Sequence, residues 1–88
     1  MEPHIISAAC RATVNGEKNV FPCHRHCDFY LWMKYLHCIY DKNEVETGFI
    51  TWDGVQERFV NRHEAAQIAF AAGQTKELLD TLYSEDLY

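Results

Sequence analysis

The sequence predicts an α+β fold in two layers, a small mixed or antiparallel sheet of about four strands covered by two helices. Three observations lead there. β-prone runs occur in pairs around two turn signals, Asn15-Gly16 and Asp53-Gly54. Each pair is followed by a stretch whose apolar residues recur at three and four. At 88 residues, with no repeats or low-complexity tracts and no composition shift, the chain has room for a single domain over residues 1–88. The order is ββαββα.

The first strand is His4 to Cys10, prolonged through Arg11 to Thr13, and it begins after Pro3. Lys18 to Phe21 returns as the second strand and is expected to stop where Pro22 removes an amide donor. Helix one is read from Cys27 to Tyr40. Asp28 sits in its first turn, where negative charge suits the dipole, and Phe29, Trp32, Met33, Leu36, Ile39 and Tyr40 form the stripe that should make it the core's main element. Asp41 to Thr47 is polar and reads as a loop.

Phe49 to Trp52 and Glu57 to Val60 form the second hairpin. Asn61 is placed to cap helix two, with Glu64 three residues on to complete a capping box. Ala65, Ala66, Ile68, Ala69 and Ala72 give this helix a narrow face for close approach to a sheet, with bulk expected from Trp52, Phe59 and Phe70. Gly73 ends it in the left-handed conformation. Leu78, Leu79 and Leu82 suggest one or two further helical turns between Gln74 and Tyr83.

Composition narrows function. Apolar residues at 48 % argue for a globule rather than disorder, and the net charge of −5 disfavours a general grip on nucleic acid. No apolar run reaches the ~18 residues that span a bilayer, and no basic-then-apolar leader is seen, so the reading is a cytoplasmic protein with free thiols. Cys10 and Cys38 read as small core residues.

Cys23, His24, His26 and Cys27 could ligate zinc with His37 or Cys38, yet four ligands within five residues at a helix start is poor spacing for a tetrahedral site. No metal or cofactor is assigned. A thiol nucleophile, Cys23 or Cys27 with His24, His26 or His63 as base, is the enzymatic alternative, and no flanking protease or transferase signature accompanies it. A zinc-stabilised interaction module is the other alternative.

Anion binding is the preferred use of these residues. His24, Arg25 and His26 at one helix start, and Arg58 and Arg62 at the other, could hold an anionic nucleotide, with a base stacked on Trp52 or Phe59. Arg58 and Arg62 are expected to converge as a fork for one anionic group, either a ligand phosphate or the chain's own Glu85 and Asp86. The bland reading is surface ion pairing with Glu57, Glu64 or the tail. Glu85, Asp86, Leu87 and Tyr88 are candidates for contact with a partner protein, and surplus apolar surface makes a homodimer an expectation.

The strings GFIT, RFVNRHEAAQIAFAAGQ and LYSEDLY, within residues 48 to 88, resemble a group of small uncharacterised proteins encoded by phages and prophages. The resemblance implies a shared module containing Gly48, Phe49, Arg58, Phe59, Arg62, Glu64, Ala65, Gly73 and the tail. It brings no established reaction or ligand. By association it implies a non-catalytic binding protein that counters a bacterial defence or host regulatory function, either by binding a host protein or by sequestering an anionic nucleotide signal.

Overall fold

A computed structural model describes residues 3–87. Four antiparallel strands form one sheet, β1 (His4–Val14), β2 (Glu17–Cys23), β3 (Glu46–Trp52) and β4 (Glu57–Asn61), in the spatial order β2-β1-β3-β4. Two helices, α1 (His26–Tyr35) and α2 (Arg62–Ala71), cover one face. This is the expected ββαββα order, with a wholly antiparallel sheet.

The first hairpin turns at Asn15 and Gly16, whose φ values of 51° and 86° are the left-handed pair that a two-residue turn matching the strand twist demands. β2 continues through Pro22 to Cys23, past the expected stop. It can do so because β2 is an edge strand, where a missing amide donor need leave no ladder bond unmade. At the second hairpin Asp53 accepts from the amides of Val55 and Gln56 at 2.8 and 2.9 Å, and these bonds lower its pKa.

Pleat alternation sends Ala8, Cys10, Ala12, Phe49 and Val60 to the helix side. There they meet Phe29 and Met33 of α1 and Ala65, Ala66 and Ala69 of α2, all nearly inaccessible. The alanine face behaves as expected, but its bulk comes from Phe49 and Leu82, both 0 % exposed, rather than from Trp52, Phe59 and Phe70. Strand parity places Trp52 and Phe59 on the opposite sheet face, and Phe70 points outward, 45 % exposed.

Helix α1 stops at Tyr35, five residues before the expected end. Leu36 caps it, His37 turns left-handed with φ of 52°, and Cys38 N–H closes on Met33 O at 3.1 Å. Beyond it the chain is pinned to the first hairpin. Asn15 donates its N–H to Ile39 O at 2.7 Å and accepts from Ile39 N–H through its side chain at 2.8 Å, and Tyr40 bridges Val14. Of the expected apolar stripe only Phe29 and Met33 are buried, so α1 is a minor contributor to the core rather than its main element. A 3₁₀ turn over Lys42–Glu44 then leads into β3.

Asn61 caps α2 by accepting from Glu64 N–H at 2.8 Å, while the Glu64 carboxylate turns to Arg58 instead of closing the capping box. Gly73, at φ of 74°, ends the helix in a Schellman arrangement in which Gln74 N–H reaches Ala69 O at 2.8 Å and Gly73 N–H reaches Phe70 O at 3.1 Å. The expected helical turns after it are absent. Residues 74–83 run without helix because their attachments lie elsewhere: the Gln74 amide clasps both N–H and C=O of Ile5 at 2.7 Å, and Leu82 plugs into the core. A 3₁₀ turn over Ser84–Asp86 follows.

Candidate functional site

The two helix starts meet through Arg62 and His26. Arg62 donates from Nε to Thr47 Oγ1 at 2.9 Å, from Nη1 to Leu82 O at 3.0 Å and from Nη2 to His26 Nδ1 at 3.1 Å. Since guanidinium can only donate, Nδ1 must be the acceptor and His26 is neutral with its proton on Nε2. That proton goes to Gly48 O at 2.7 Å. Burial lowers the His26 pKa, the bond to Gly48 opposes the shift, and the Arg62 charge adds to it. Leu82 N–H returns to Arg62 O at 3.0 Å, and the Tyr83 ring lies 5.1 Å from the guanidinium carbon. Arg62 is therefore a clasp holding β3, α1 and the C-terminal segment on the start of α2.

Arg58 goes elsewhere. It sits on the other side of β4 from Phe59 and pairs with Glu64 at 2.8 Å. The expected Arg58/Arg62 fork does not form, because the first guanidinium is drawn along the surface of α2 and the second inward to His26. Beside the clasp a cleft of about 200 Å³ is bordered by Arg25, His26, Cys27 and Glu85. Its Arg62 wall has already committed donors, and Glu85 makes it an unwelcoming place for an anion.

A larger opening lies around Phe59. The sheet face away from the helices carries Ala9, Arg11, Val20, Pro22, Gly48, Ile50, Trp52 and Phe59 by strand parity. A Cβ at Gly48 would collide with the edge of the Phe59 ring and with Val60 O, so glycine is what allows the ring to pack directly against β3. The Arg11 guanidinium carbon stands 4.6 Å from the ring centroid and also pairs with Glu46. A groove of about 590 Å³ runs here along the β4 edge, lined by Arg11, Glu46, Arg58, Phe59, Asn61 and Glu64 among others. A second hollow of about 230 Å³ continues on the far side of Phe59 past Ile50, Val20 and Pro22.

The sequence-predicted residues thus separate into groups. Arg58 and Phe59 share the groove, Trp52 lies on the same sheet face two positions beyond Ile50, and Arg25, His26 and Arg62 belong to the clasp. His24 is exposed just before α1. Glu85 and Asp86 are exposed on the final turn, Leu87 is half-buried, and Tyr88 lies outside the described residues. Arg11 and Glu46 were not singled out from sequence. The available signal is an arginine at alternating parity in an otherwise apolar strand, which marks a polar feature on the face opposite the core.

The thiols divide by parity too. Cys10 and Cys23 are both buried, with Cys10 Sγ–H directed at His26 O at 3.9 Å; the interaction between the two thiols, together with burial, raises the Cys23 pKa, while the same interaction lowers that of Cys10 inside the core. Cys27 is exposed, and all four cysteines are free. Cys23 and His26 face inward while His24 and Cys27 face outward, and among the described residues no three His, Cys, Asp or Glu side chains converge on a cation position. Nor is any helix of the described residues long and apolar enough to cross a membrane.

A family model described as Phage T4 y16D protein matches residues 4–88, which extends the phage resemblance of the second half over the Cys/His stretch as well. No curated protein and no solved structure matches the chain.

Proposed function

The chain belongs to this phage protein family, and from that membership and the groove we propose that it is a non-catalytic binding protein that sequesters an anionic nucleotide used in host defence signalling. The observation that carries this reading is the Phe59 groove, whose volume of about 590 Å³ falls in the range of small-ligand sites. It offers one aromatic face and two guanidiniums. A planar base would take the Arg11 position over Phe59, and Arg11 and Arg58 would receive the phosphates in paired contacts. Their present partners, Glu46 and Glu64, are half-exposed carboxylates in pairs worth ~0–1 kcal/mol each, so exchanging them costs little.

The test is calorimetric titration with mononucleotides and cyclic dinucleotides. Wild-type protein should bind at least one of them, Arg11→Ala and Arg58→Ala should each weaken it about tenfold or more, and Arg25→Ala should not. Absence of binding to every nucleotide would retire the reading.

A second reading is supported by the final turn, which presents Glu85 and Asp86 outward on a segment held by the Arg62 clasp. A basic surface on a host protein would match it. Loss of capture of an identified host protein on Glu85→Lys/Asp86→Lys substitution, with nucleotide binding absent, would favour this alternative.

A further inference from the structure

Helix α1 has a second apolar face, and it is bare. Leu31, Trp32, Tyr35 and Leu36 recur at three and four residues on the side away from the sheet, with Ile39 just past the helix end; their exposures are 51, 53, 79, 67 and 80 %. At about 150–250 Å² for a whole large side chain, these fractions leave on the order of 600 Å² open. That is at the top of the ~300–600 Å² usual for the largest patch of a soluble monomer, and roughly three-quarters of the ~800 Å² that each partner gives to a standard interface.

We propose that this face is the dimer interface of the protein, closed by a second copy of the same chain across a two-fold axis passing near Leu31. The charge arrangement favours a second copy over another partner. Asp28 and Lys34 stand three residues before and three after Leu31. An antiparallel pairing with Leu31 near the axis therefore brings Asp28 toward Lys34 of the other copy, twice; Leu31, Trp32 and Tyr35 lie within the overlap of the two helices, and Leu36 and Ile39 lie at its ends. Antiparallel helix dipoles also complement one another. The chain as a whole carries −5, but the stretch 24–42 holds Arg25, Lys34 and Lys42 against only Asp28 and Asp41, so the acidic bulk lies away from the contact. Both Asp28 and Asp41 cap local backbone, which keeps them in place.

The pairing buries the helix side of each copy and leaves both uncovered sheet faces outward, so it is independent of the nucleotide reading. Each dimer would carry two Phe59 grooves pointing apart.

Sedimentation equilibrium from micromolar to millimolar concentration tests it. Wild-type protein should fit a reversible monomer–dimer equilibrium. Leu31→Glu and, separately, Tyr35→Glu should sediment as monomers with unchanged circular dichroism and melting profile at low concentration. Lys34→Glu should raise the dissociation constant severalfold. Because Tyr35 is 79 % exposed, its substitution leaves folding intact even if Leu31→Glu does not. A wild-type monomer over the whole range, or a dimer that survives Tyr35→Glu with its affinity unchanged, would overturn the proposal.

Discussion

Arg62 Nη2 lies 3.1 Å from His26 Nδ1, and this contact joins the start of one helix to the start of the other. It stands only while the imidazole is neutral. Protonation would remove the acceptor and set two cations side by side, opposed on the ring by the charge of Glu85.

The His26 pKa is lowered on folding from an ordinary value of 6.5, so the unfolded chain binds more protons than the folded one just below that pH. Stability should be at its plateau above pH ~7 and fall as pH drops through ~6.5. A melting series from pH 8 to 5 checks this, and His26→Gln should flatten the slope in that window.

Arg62→Ala should destabilise by about 2–4 kcal/mol, since it strands the carbonyl of Leu82 and the Nδ1 of His26 in partly buried surroundings. Lysine should rescue little, because three divergent donors are required. Urea denaturation measures the loss. Amide exchange should show residues 82–87 opening first.

Gly48→Ala should cost about 1–3 kcal/mol, as the new methyl meets Val60 O and the Phe59 ring. Thermal melts report it. Gly48→Ala/Phe59→Ala should recover only the part due to the ring, because the Val60 carbonyl cannot withdraw from the ladder.

Gln74→Ala should lose about 1–3 kcal/mol by leaving the N–H and C=O of Ile5 without their shared partner at the β1 bulge. Phe70→Ser, nearby but outward-facing, should fall within ~0.5 kcal/mol of wild type. Chemical denaturation of both variants gives the comparison.

The legible parts of this fold are those fixed by neighbours in sequence. Asn15-Gly16, Asp53 and Asn61 each make bonds within three residues, or adopt angles, that their own chemistry dictates, so both hairpins and the start of α2 could be read directly. Helix α1 was overextended because Leu36, Ile39 and Tyr40 keep its apolar period, whereas the chain past Leu36 is captured by Asn15, a contact 24 residues away. Gln74 and Leu82 likewise bind partners distant in sequence, and such contacts leave no periodic trace. At the candidate site, Phe59 and Arg58 were found by type, but strand parity and the competition of Glu64 decided where each points. Arg11 enters the groove only because β1 lies beside β3 and so one strand from β4, and strand order was not readable.

The most direct test of the binding site is a ¹⁵N–¹H correlation spectrum recorded while a nucleotide is titrated in. Shifts should concentrate at Arg11, Glu46 and residues 58–61, the two sides of the Phe59 ring, and leave α1 and the final turn unmoved. Shifts confined to Arg25, His26 and residues 83–86, or none at all with every nucleotide, would contradict this placement.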